Sequence, residues 1–77
     1  MNTKIVGESV KNMLSKNNLT GVWLLGILEK KGIILEKSTL SAILNGRSKD
    51  KKAEEVLNIS IEILRDYEEW KRGYLNG

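Results

Sequence analysis

Between residues 37 and 52 the chain sets out hydroxyls, an amide and cations in an order suited to non-covalent recognition of a polyanion with hydrogen-bonding edges. Ser38, Thr39, Ser41 and Asn45 share the polar side of a short helical pattern, with Ala42 among them. Such groups donate to and accept from base edges in a DNA major groove, and an alanine methyl suits the methyl of thymine. Arg47, Lys49, Lys51 and Lys52 follow at once, opposed only by Asp50. Cations of this kind lie along a phosphate backbone and set register without reading sequence.

Covalent and metal chemistry is poorly supplied. There is no Cys and no His. That removes disulfides, the usual zinc ligands, the commonest general base and the best nucleophile. Carboxylates, Lys, Ser and Tyr remain, but the expectation is a binding protein and not an enzyme, with no cofactor, no metal and no small-molecule ligand. The net charge is +3 over 77 residues, and it is unevenly spread. Residues 1–36 carry +2, residues 37–52 carry +4 and residues 53–77 carry −3. A chain this short holds a single domain, residues 1–77. No apolar run approaches the ~20 residues of a membrane span, and the start shows no signal-peptide pattern, so a cytoplasmic protein is expected.

The elements that must position these groups read as helices. Proline is absent and the apolar residues recur at helical spacing, which predicts an all-α bundle of four to five helices with a long C-terminal helix. The first helix covers residues 5–16, capped by Asn2 or Thr3, with Ile5, Val6, Val10, Met13 and Leu14 inward and Asn17-Asn18 as its stop. The second starts behind Thr20 and ends at Gly32, with Gly26 inside it as a point of close helix approach. Ile33-Ile34-Leu35 reads as a short buried turn. Ser38 caps a third helix of residues 38–45, with Leu40, Ile43 and Leu44 inward and Asn45-Gly46 ending it. Residues 50–74 form one long helix or two abutting ones, with a break possible at Ile59-Ser60-Ile61, and Gly73 and Asn76-Gly77 mark the end.

Two helices of this kind, a turn between them and a thin polar outer face on the second describe a helix-turn-helix. The string Lys37-Ser38-Thr39-Leu40-Ser41-Ala42-Ile43-Leu44-Asn45-Gly46-Arg47 resembles the recognition helix and following turn of the Cro/phage-repressor (XRE-like) helix-turn-helix family. Leu19-Thr20, Leu24 and Leu28 match that family's preceding helix. The resemblance implies a compact bundle that binds operator DNA, often as a dimer, in the bacterial cytoplasm or nucleoid. It adds Thr20 and Lys37, at the helix starts, to the phosphate-contacting set. Gly21 stands where the family usually has Gln, the span from Thr20 to Gly32 is about one turn longer, and the turn after it about two residues longer. An extended form of this kind is similar to small regulators of Gram-positive phages and mobile elements.

The long helix shows more apolar width than one small core uses. Ile59, Ile63, Tyr67, Trp70 and Tyr74 are therefore expected at a two-fold interface, the alternative being that the stripe folds back on the first helix as core. Trp23 and Trp70 read as core or interface residues, not base-stacking platforms, and the acidic face of residues 54–69 reads as solvated. The resulting expectation is a small repressor-like regulator that binds double-stranded DNA as a homodimer. The competing readings are a protein-interaction module on the same fold, acting as an anti-repressor or polymerase inhibitor, and a recombination or excision accessory factor.

Overall fold

The computed structural model describes residues 2–76. Among them are four α-helices and no strand: α1 (Thr3–Lys16), α2 (Gly21–Lys30), α3 (Lys37–Leu44) and α4 (Lys51–Asn76). No helix among the described residues is long and apolar enough to cross a membrane.

Helix starts follow from side chains that satisfy the first free amides. Asn2 Oδ1 accepts from Lys4 N and Ile5 N at 3.1 and 3.2 Å, Thr20 Oγ1 from Trp23 N at 3.1 Å, and Asp50 Oδ1 from Ala53 N at 2.8 Å. The third helix departs from expectation. It begins one residue earlier, Glu36 occupies the cap position without a side-chain hydrogen bond, and Ser38 lies inside the first turn.

The first three helices stop in the same way. Asn18, Gly32 and Gly46 take positive φ of 57°, 87° and 76°. The amide of the next residue then reaches back to close the end: Leu19 to Leu14 O at 2.8 Å, Ile33 to Leu28 O at 2.9 Å and Arg47 to Ala42 O at 2.9 Å. These are Schellman ends, in which a left-handed residue lets the chain satisfy two otherwise free carbonyls.

Val10 and Leu14 of α1, Leu24 and Leu28 of α2, Leu40, Ile43 and Leu44 of α3, and Ala53, Val56, Leu57, Ile63 and Leu64 of α4 form the core. The last helix is unbroken across Ile59-Ser60-Ile61 and runs on through Gly73, past the expected end at residue 74; Gly77 lies outside the described residues. Its innermost row steps through Ala53, Val56, Leu57, Ser60, Ile63 and Leu64, so Ser60 is buried while Ile59 and Ile61 are only half-buried. Helical period places Ser60 there regardless of its hydroxyl, which has no hydrogen-bond partner. The 26 residues of α4 reach about 39 Å at 1.5 Å each, which is the 40 Å long axis of the molecule. Other expectations fail at exposed apolar sites. Ile5 is 63% and Ile34 77% exposed, so neither belongs to the core.

Close helix approach occurs at a different glycine from the one expected. Gly26 faces open space. Gly7 of α1 instead packs against the backbone of Leu44, where a Cβ would overlap the Leu44 carbonyl, and Gly46 packs on Lys4, whose Cα would stand 3.0 Å from an added Cβ. At the other end of α1, Asn17 Nδ2 donates to Met13 O and Glu68 Oε2, both at 2.8 Å, and Lys16 Nζ lies 3.4 Å from Glu68. The Asn17 hydrogen bond, aided by the Lys16 and Arg72 charges, holds the Glu68 carboxyl below its ordinary pKa against partial desolvation.

Two stability predictions follow from these contacts. Gly7→Ala should destabilise by about 1–3 kcal/mol through overpacking against backbone. Gly26→Ala, in open space on a helix, should stabilise by about 1 kcal/mol. Urea unfolding of the two variants checks the opposite signs. The second concerns acid. Because Glu68 is depressed in the folded chain, its contribution is complete at neutral pH and is lost as pH falls through the folded-state value. Glu68→Gln keeps an acceptor for Asn17 but has no charge to titrate. Between about pH 7 and pH 3 the wild type should therefore lose more melting temperature than Glu68→Gln; equal losses would contradict the assignment.

Candidate nucleic-acid interface

The third helix is only eight residues long, too short to be stable alone. Leu40, Ile43 and Leu44 bind it to the rest of the chain, each worth roughly 1.5–3 kcal/mol of apolar burial. With that face committed, Lys37, Ser38, Thr39, Ser41 and Asn45 are left exposed and Ala42 half-buried. No acidic residue sits in the first turn of α3 or in its outer face.

Asn45 is held in place by its neighbours. Its Nδ2 donates to the Ser41 carbonyl at 2.8 Å and lies 3.3 Å from Ser41 Oγ, while Lys11 Nζ donates to its Oδ1 at 2.7 Å. Lys11 also pairs with Glu8 at 3.1 Å. Asn45 thus closes the end of α3 and has less capacity for a base edge than Ser41 or Thr39. Lys11 joins this surface, although no local sequence pattern ties it to residues 37–52. The signal for it is tertiary: α1 crosses α3 at Gly7, which brings Lys11 to Asn45 and Lys4 to Gly46.

Lys11, Gly21, Lys37, Ser41 and Asn45 border one cleft of about 200 Å³, floored by Leu25, Leu40 and Leu44. The start of α2, the start of α3 and the middle of α1 therefore meet at one place. Gly21 leaves that cleft open, since nothing lies within 4 Å of a Cβ built there. Thr20, immediately before it, is exposed with its hydroxyl engaged by Trp23 N.

The basic residues fall in two settings. Arg47 and Lys49 lie in the link between α3 and α4, whereas Lys51 and Lys52 open α4 itself. All four are exposed. Among the described residues the ion pairs are Lys11–Glu8 and Lys16–Glu68, and neither involves these cations or Lys37. Arg47 occupies the position that Leu19 and Ile33 fill at the other two Schellman ends, where an apolar side chain commonly packs back on the helix. Lysines at a helix N-terminus also oppose the helix dipole, at a cost of about 0.3–1 kcal/mol each.

The expected interface residues separate. Ile63 is core at 6% exposure, Ile59 and Tyr67 are half-buried, and Trp70 and Tyr74 are exposed. Ile63 is thus taken out of the freely exposed set because its row faces Leu57 and Leu64 inward. No family model, no curated protein and no solved structure matches the chain.

Proposed function

We propose that this protein binds double-stranded DNA sequence-specifically, with α3 in the major groove, as a small repressor-like regulator of transcription. The observation that carries the reading is the outer side of α3, which is exposed, free of acids and formed of small hydroxyl residues beside unpaired cations. A helix of this profile fits the ~12 Å groove, and its Ser and Thr hydroxyls suit base edges. Thr39 and Ser41 lead the base-reading set, with Ser38, Ala42 and Asn45 around them. Lys37, Arg47, Lys49, Lys51 and Lys52, with Thr20 at the start of α2, supply the phosphate contacts, and Lys11 joins them.

Placement of cations against local stability supports this. Arg47 stands where an apolar residue would help close α3, and Lys51-Lys52 stand at the positive end of α4. An anionic partner turns both features from costs into contacts.

A second reading, a protein-interaction module such as an anti-repressor or polymerase inhibitor, draws on the exposed Trp70 and Tyr74. Salt separates the two, because phosphate contacts release counterions and lose affinity steeply as salt rises.

The test begins with selection of bound duplexes from a random pool. On the selected site Ser41→Ala should cost about 1–3 kcal/mol, with little change on random DNA. Lys49→Ala or Lys51→Ala should weaken binding to every duplex and reduce the slope of log K against log salt by about one. No enrichment of any sequence, or equal losses from Ser41→Ala on selected and random DNA, would count against α3 as the reading element.

A further inference from the structure

The last turns of α4 carry an aromatic surface that the rest of the described chain leaves open. Trp70 is 62% and Tyr74 75% exposed. They continue a ladder in which Trp23 meets Tyr67 edge-on at 5.5 Å, Tyr67 meets Trp70 at 5.9 Å and Trp70 stacks on Tyr74 at 5.7 Å. Beside the ladder, between α2 and α4, lies an open groove of about 310 Å³. Trp23, Ile27, Ile63, Tyr67 and one side of Trp70 wall it, and Lys31 and Asp66 stand at its edge. Projecting rings and an apolar groove thus share one face.

We propose that a second copy of this chain occupies the groove, running antiparallel about a two-fold axis near residues 68 and 69, so that each copy's Trp70 and Tyr74 cover the other's groove. Ile63, Tyr67, Trp70 and Tyr74 are separated by four, three and four residues, a spacing that is the same in both directions. A two-fold interface requires such self-complementarity, because one patch must meet itself reversed. In that register Trp70 of one copy faces Tyr67 of the other, and Tyr74 reaches the part of the groove that the mostly buried Ile63 closes from below. Lys31 and Asp66 carry opposite charges, so the edge of the groove sets up no single-sign field against a copy of itself.

The area is adequate. Full burial of an aromatic side chain removes roughly 150–250 Å² from water. Four such rings, mostly exposed beforehand, together with the groove walls they cover, amount to on the order of 1,000 Å². That is the low end for a specific interface, so the dimer is expected to dissociate on dilution. This proposal is independent of the DNA-binding reading, since it concerns the free protein.

Sedimentation equilibrium of the full chain over roughly 1 µM to 1 mM tests it, with fluorine NMR of fluorotryptophan-labelled protein alongside. The expected result is a monomer–dimer equilibrium in which the Trp70 resonance moves with concentration. Trp70→Ala and Tyr74→Ala should each raise the dimer dissociation constant at least about tenfold while leaving the circular dichroism of the monomer unchanged. If Trp70→Ala lowers helicity, Tyr74→Ala decides. A wild type that stays monomeric throughout, as it would if the groove serves a different protein, overturns the proposal. So does a dimer indifferent to both substitutions, which would place the interface elsewhere.

Discussion

Everything presented by α3 depends on a backbone contact. Gly7 of α1 lies directly against the Leu44 carbonyl, with no room for a Cβ between them, and Gly46, just past the end of α3, lies against Lys4. An eight-residue helix has little stability of its own, and α3 has no side-chain cap to help it start. Its orientation is therefore set by what it packs on. The glycine contact draws α1 close enough for Leu40, Ile43 and Leu44 to enter the common core with Val10 and Leu14. Once that face is buried, the opposite face of α3 has only solvent or a partner to meet. The same crossing brings Lys11 to the rim of the cleft and ties it to Asn45.

Charge follows the same geometry. The cations of residues 47–52 accumulate where α3 ends and α4 begins, while the acids lie further along α4. Two of the three Schellman ends place an apolar residue after the left-handed one, and the third places Arg47. Lys51 and Lys52 likewise stand at the helix end that favours acids. Each choice costs a fraction of a kcal/mol to about 1 kcal/mol locally. In the proposed function these small costs are offset when phosphates approach. The far end of α4 is a different kind of surface, aromatic and of mixed charge, and it is the face assigned to a second copy.

Much of the fold was legible because local chemistry decided it. Asn2 and Thr20 cap, Asn18, Gly32 and Gly46 terminate, and the apolar rows of α1, α2 and α3 give seven of the twelve core residues, α4 supplying the other five. The misses lie where tertiary geometry decides. Gly7 and Gly26 look alike in sequence, both inside helical patterns, and only the crossing of α1 over α3 leaves one without room for a side chain and the other in open space. Ser38 has the chemistry of a cap, yet the helix starts at Lys37, where the Leu40 amide donates to the Glu36 carbonyl and Ser38 falls inside the first turn. Ser60 is polar, so no apolar pattern marks it, although helical period carries it to the innermost row. Of the candidate site, the outward residues of α3 and the cations after it could be listed from spacing alone. The share of Lys11, the restraint on Asn45 and the inward turn of Ile63 required the packing of α1 and α4.

The central claim is that α3 and the cations that follow it form the surface that meets DNA. Amide-resolved NMR of the 15N-labelled chain, titrated with a selected duplex at two salt concentrations, tests it most directly. The account predicts that the largest shifts fall on residues 37–52, with lesser ones near Lys11 and Gly21, and that they diminish as salt rises. It would be contradicted if the amides of α3 stayed in place while the largest shifts gathered around Trp23, Tyr67 and Trp70.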